Sequence, residues 1–181
     1  MDNNSYQNRT EYDEINLKFY NHLAFSMNYN IIPSTIIENF EDKDSIKIAL
    51  ITRCFNEKYV YEFVRHYKYE GVNEIYIIDD HSDPSIYKSV RNDPSIIIIK
   101  DVEFKDGPEL DIVYHRIKDN YDWIICVDLD EFITTVSDLN STIRQELETT
   151  YVNVDCIKIP WVMMSFNNIQ RDPDILLESN I

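Results

Sequence analysis

Glycine is nearly missing from this chain, whose 181 residues contain two, Gly71 and Gly107. Phosphate-cradling loops and strained nucleophile turns are built on glycine, because a residue without Cβ lets the backbone approach a ligand closely and take left-handed angles. A Walker A loop, a Gly-x-Gly-x-x-Gly fingerprint and a Gly-x-Ser-x-Gly elbow are therefore excluded. If the protein handles phosphate, it does so with metal and side chains. Cysteine is sparse as well. Cys54, Cys126 and Cys156 are odd in number and far apart, each inside a strand-like segment, so they read as small reduced core residues. Without a Cys-x-x-Cys or His-x-x-x-His pair, a zinc site is not expected. Positive charge is short: Lys+Arg 17 against Asp+Glu 33 gives a net charge of −16 and leaves no basic patch. Nucleic acid and anionic membranes would be repelled, and an anionic substrate would need a metal or a few local cations to approach. No apolar run reaches the roughly 18 to 20 residues of a membrane span. The start, Met1-Asp2-Asn3-Asn4-Ser5, lacks the charged and apolar regions of a signal peptide. A soluble, cytoplasmic protein without a transmembrane segment is the expectation.

What is present is a hydrophobic content of 44%, enough for one domain with a sizeable core. Residues 1–44 read as an N-terminal extension, Asn-rich at first and then weakly helical through Ile15, Phe19 and Leu23. From Ser45 the pattern becomes regular. Ile46–Cys54 is a mostly apolar strand, as a buried parallel strand should be, and it breaks at Phe55-Asn56-Glu57. A helix follows with Val60, Phe63, Val64 and Tyr67 on one face and Gly71 as a left-handed cap. Glu74–Asp79 is a second strand ending in Asp79, Asp80 and, two residues on, Asp83. A short helix through Tyr87 and Val90 leads to a third strand, Ser95–Lys100. Gly107-Pro108 opens another helix, with Leu110, Val113, Tyr114 and Ile117 as its buried face. The fourth strand begins at Trp123. Beyond it the reading is a helix from about Ser137 to Thr149, a strand from Val154 to Pro160, and an apolar stretch through Trp161, Met163, Met164 and Phe166. Strands alternating with helices predict an α/β domain with a doubly wound, mostly parallel sheet.

The fourth strand organises the reading. In Trp123-Ile124-Ile125-Cys126-Val127-Asp128-Leu129-Asp130-Glu131-Phe132, an apolar run meets three carboxylates within four positions. In an open α/β sheet, the carboxyl ends of the strands border the ligand crevice. Carboxylates held this close raise one another's pKa unless a cation neutralises them, which asks for a divalent metal or a proton. The tripeptide alone says little, since Asp-x-Asp also occurs at Asp42-Lys43-Asp44 and Asp172-Pro173-Asp174. Of the three, the middle copy is the one that follows an apolar strand.

The ordered set Ile51-Thr52-Arg53-Cys54-Phe55-Asn56-Glu57, His66 with Gly71-Val72, Ile77-Ile78-Asp79-Asp80-His81-Ser82-Asp83, and Trp123-Ile124 with Val127–Phe132 resembles the family-2-like and family-92-like glycosyltransferases of the GT-A fold. The likeness runs from about Ser45 to Phe166. It implies a Rossmann-like, mostly parallel sheet flanked by helices in residues 45–181, with the acceptor half incomplete at the C-terminal end. It implies a metal-dependent transfer of sugar from a nucleoside-diphosphate sugar, a UDP-sugar in the first instance, to the hydroxyl of a glycan or protein acceptor. Asn56 and Glu57 would lie near the base or ribose. Asp80 would accept a hydrogen bond from the base, with Asp79 supporting it. Asp128 and Asp130 would meet ribose and metal, Mn²⁺ or Mg²⁺. No catalytic base is assigned; Glu178 lies near an acidic position of the family without qualifying as one.

Other readings stand beside these. Asp79 and Asp80 also fit a turn with Asx-type hydrogen bonds. Glu131 fits a metal shell or a solvated acid equally, and Arg53 and Arg116 fit either the diphosphate or ordinary surface ion pairs. His66, His81 and His115 read as structural or surface residues. A non-catalytic nucleotide-sugar-binding remnant or partner subunit is the alternative function. A haloacid-dehalogenase-like phosphatase, with Asp128 as nucleophile, is a more distant one.

Overall fold

The computed structural model describes residues 45–100, 102–104, 108–135, 141–160 and 162. The N-terminal extension, Trp161, Met163, Met164, Phe166 and Glu178 lie outside these residues. Two units are distinguished, one containing residues 41–133 and the other residues 134–181 together with 1–40.

The first unit is an α/β layer structure. Its strands are β1 (Ile48–Cys54), β2 (Glu74–Asp79), β3 (Ile96–Ile99) and β4 (Trp123–Cys126), and its helices are α1 (Val60–Tyr69) and α2 (Pro108–Ile117). All four strands are parallel, in the order β3-β2-β1-β4. The chain thus moves outward from β1 through β2 to β3, then returns through α2 to add β4 on the other side of β1. The point where strand order reverses lies between β1 and β4, and in such sheets the crevice outside the carboxyl ends opens there.

Each element follows from its sequence. β1 is apolar from Ile48 to Ile51 because it has a neighbour on both edges and helices over both faces, and these four residues are fully buried. Along α1 the expected stripe of Val60, Phe63, Val64 and Tyr67 is buried. The helix ends where Gly71 turns left-handed at φ 92°, its N–H donating to Lys68 O while Val72 N donates to Tyr67 O. On α2, Val113 and Ile117 pack with Ala49, Ile51 and Ile78 on one face of the sheet. The crossover through α1 runs opposite to that through α2, and right-handed connections then place α1 on the other face.

Several expectations are corrected. β4 is half-exposed rather than buried, because it forms the edge of the sheet among the described residues and has β1 alone as neighbour. Cys126, on that edge, is exposed, and so is Cys156; of the three cysteines only Cys54 belongs to the core. Tyr114 is exposed, since the buried stripe of α2 is the narrower row Glu109, Val113 and Ile117. In the second unit, Val154–Pro160 is irregular rather than a strand. Val154 and Ile159 are exposed there, and a strand needs a pairing partner that the described residues do not supply. The helix expected from Ser137 begins, among the described residues, as α3 (Ile143–Thr149). Its start is set by a capping box in which Thr142 and Gln145 satisfy each other's backbone N–H groups. No helix among the described residues is long and apolar enough to cross a membrane.

Leu50, in the central strand β1, has no exposed surface. Leu50→Ala is expected to lower unfolding free energy by about 2 to 5 kcal/mol in urea titration, the range for a leucine truncated in a core that collapses only partly.

Candidate functional site

Three strands bring chemistry to the carboxyl edge of the sheet. The loops after β1 and β2 are stapled together first. Asn56 at φ 55° and His81 at φ 53° both take left-handed backbone angles, which asparagine and histidine tolerate better than most side chains. Asn56 N donates to Ser82 Oγ at 2.9 Å, and Asp83 N donates to Asn56 Oδ1 at 2.8 Å. Asp80 N donates to Cys54 O at 3.0 Å. Asp79, 4% exposed, accepts at Oδ1 from Tyr87 OH at 2.6 Å and from Ser82 N at 3.2 Å. Asn56 and Asp79 therefore use their side chains to shape the two loops. Burial pushes the phenol of Tyr87 and the thiol of Cys54 up, so neither ionises at neutral pH.

Asp80 is placed differently. Its Oδ1 lies 3.0 Å from His81 Nδ1, and its Oδ2 accepts from Phe104 N at 3.3 Å. The His81 hydrogen bond, helped by that of Phe104, holds this carboxyl below its ordinary range, so it stays ionised. A carboxylate has about four acceptor positions, and this one retains capacity for a further donor.

The acids after β4 are held by a turn. Glu131 N donates to Asp128 O at 3.0 Å, and Asp128 N donates to Glu131 Oε2 at 2.9 Å, which gives Glu131 a backbone-closing role. Leu129, buried at 3% exposure, pins the turn to the core while Asp128 and Asp130 on either side of it reach solvent. Tyr67 OH, from α1, donates to Glu131 O at 2.8 Å and accepts from Ile133 N at 3.1 Å. His66 Nε2 donates to Ile133 O at 2.7 Å, and the His66 and Phe63 rings flank Phe132. His66 is thus structural, as expected.

Arg53 joins β1 to this turn. The β1–β4 register pairs Ile51 with Cys126, and two residues farther along Arg53 Nη2 donates to Asp128 Oδ1 at 3.0 Å. Its guanidinium also lies over the Phe104 ring, 5.8 Å from the centroid. Glu57 is close enough to feel the same acids. Desolvation raises its carboxyl above the ordinary range first, and the charges of Asp130 and Asp128 push it further.

The structure thus brings Arg53, Glu57, Asp128 and Asp130 together at the reversal point of the sheet. It places Asp80 at the end of the next strand, and it sets Asn56 and Asp79 behind them as braces. Sequence reading named Arg53 but missed its bond to Asp128. It missed Tyr67, Tyr87 and Phe104 as supports altogether, since each looks like an ordinary core aromatic. Among the described residues, no group of three or more His, Cys, Asp and Glu side chains is placed to hold a metal ion unaided. Compared with protein-family models, curated proteins and solved structures, the chain matches none.

Two outcomes test this geometry. Tyr67→Phe removes a hydroxyl that serves two backbone groups, and is expected to cost about 1 to 3 kcal/mol in denaturant unfolding, with faster amide exchange at Ile133. Asp130→Asn is expected to bring the Glu57 carboxyl down towards its ordinary value in a carboxyl-resolved NMR titration, without reaching it because partial desolvation and the charge of Asp128 remain. An unmoved Glu57 would place Asp130 farther away than described.

Proposed function

We propose that residues 45–181 are a GT-A-type glycosyltransferase domain that uses Mn²⁺ or Mg²⁺ to bind a nucleoside-diphosphate sugar, a UDP-sugar first, and to pass the sugar to a glycan or protein hydroxyl. The observation that carries this reading is the placement of Asp128 and Asp130 beside β1 at the point where strand order reverses. The acid-ended β2 lies on the other side of β1, so the loops after β2 and β4 bring carboxylates to the same edge of the sheet.

The donor set supports the metal. Carboxylate oxygens suit hard divalent cations, and a cation with two protein ligands completes its shell from phosphate oxygens and water. The residues therefore fit an ion that arrives with a diphosphate better than one resident in the protein. Asp128 and Asp130 would hold it, and when bound it would neutralise the charge that builds on the departing nucleoside diphosphate. At a net charge of −16, the surface at large cannot supply that neutralisation.

The protein's own contribution is positional. Asp80, kept ionised by His81 and Phe104, accepts a hydrogen bond from a nucleobase N–H. Asn56 and Asp79 hold the β1 and β2 loops so that Asp80 and Glu57 keep their places beside base and ribose. Leu129 and the Tyr67 hydroxyl keep the Asp128–Glu131 turn from shifting when ligand arrives.

The test is thermal unfolding with UDP, GDP, their sugars, ADP and CMP, each with and without Mn²⁺. A ligand that binds the native state alone adds about 2.7 kcal/mol of stability at a hundredfold excess over Kd. A shift requiring both one nucleoside diphosphate and metal is expected. Asp128→Ala and Asp130→Ala are each expected to abolish that shift while leaving the ligand-free melting temperature nearly unchanged. A metal-dependent shift that survives in both variants would remove these residues from the site.

A further inference from the structure

An ion pair at the mouth of a donor site raises the question of what it does when a ligand comes. Arg53 Nη2 reaches a single oxygen of Asp128 at 3.0 Å, with the two side chains 34% and 50% exposed. A one-point contact in this much solvent is weak and easily exchanged. The arginine is nevertheless well placed, because the β1–β4 register delivers it to this edge and the Phe104 ring lies beneath its guanidinium. Phe104 in turn is tied to Asp80 through its backbone N–H. A cation and a guanidinium on the same carboxylate repel each other, so a metal settling on Asp128 drives Arg53 off. A planar guanidinium resting on an aromatic ring keeps its edge donors free, and two parallel N–H groups match two phosphate oxygens.

We propose that Arg53 exchanges partners at this site, holding Asp128 while no nucleotide is present and binding the diphosphate once a nucleotide arrives with its cation. This rests on the donor-site reading given above. It adds that the ligand-free site is kept closed to metal alone, and that ion and diphosphate enter as one unit. The same residue thus opposes one ligand and favours the other. A purely structural brace for Asp128 would change both affinities in the same direction or neither.

The test uses the full chain and two titrations. Free Mn²⁺ is followed by electron paramagnetic resonance without nucleotide, and UDP or GDP binding in saturating Mn²⁺ is followed by calorimetry. Arg53→Ala is expected to bind Mn²⁺ alone about two- to fivefold more tightly, the size of a lost exposed ion pair. It is expected to bind the diphosphate about tenfold or more weakly, the size of a lost hydrogen bond between charged groups. Phe104→Leu, which removes the ring while leaving Arg53, is expected to weaken the diphosphate and leave Mn²⁺ alone unchanged. Circular dichroism confirms that both variants are folded. If Arg53→Ala moves both affinities the same way, or moves neither, the exchange is overturned while the donor site stands. If the unaltered protein binds neither UDP nor GDP with Mn²⁺, the donor-site reading falls, and the exchange falls with it.

Discussion

The hydrogen-bonding register of β1 with its two neighbours is the constraint on which the carboxyl edge depends. β1 shares its backbone groups with β2 on one side and β4 on the other, pairing Cys54 with Asp79 and Ile51 with Cys126. Side chains alternate between faces along a strand, so a slip of one residue would turn every contact to the opposite face. Arg53 would leave Asp128, and Asp80 would lose its bond to Cys54. The packing of α2 on Ala49, Ile51 and Ile78 makes such a slip costly, since the same alternation that orients the edge residues buries these three.

Charge at this edge is arranged in two classes. Asp79 and Glu131 spend their carboxylates on backbone N–H groups and hydroxyls of their own loops, where removal from water is offset by hydrogen bonds. Asp80, Asp128 and Asp130 point outward, one kept ionised by a histidine, one paired with an arginine and one in solvent. Glu57 registers the excess: its carboxyl is raised by desolvation and then by the two aspartates. This surplus of negative charge beside one weakly held arginine is a feature on which the proposed donor site rests.

Much of this was legible in the residues. Elements of the sheet could be read because their periods are clear: continuous apolar runs for β1 and β3, and a spacing of three and four for α1. The ends of β2 and β4 could be read because the apolar runs give way to carboxylates there. Other features were hidden for physical reasons. Ile124, Ile125 and Cys126 look like a central strand, but apolarity does not tell a strand with two neighbours from an edge strand that borrows burial from one. Val154–Pro160 has the composition of a strand, yet composition cannot provide the partner whose N–H and C=O groups would complete it. Tyr67 and Tyr87 looked like core aromatics, and they are; their hydroxyl partners are 64 and 8 residues away in sequence.

Local chemistry, then, is what the chain determined by itself: where α1 stops, and which apolar runs end in carboxylates. These depend on neighbours within a few positions, through periodicity, capping and the freedom of Gly71 to turn left-handed. The tertiary structure alone decided which acids became available and which were consumed. Asp79 and Asp80 are adjacent in sequence and identical in type, yet one is buried under Tyr87 and the other is partly exposed between His81 and Phe104. That difference arises because successive residues at a strand end face opposite ways, and because the elements that meet each face come from distant parts of the chain.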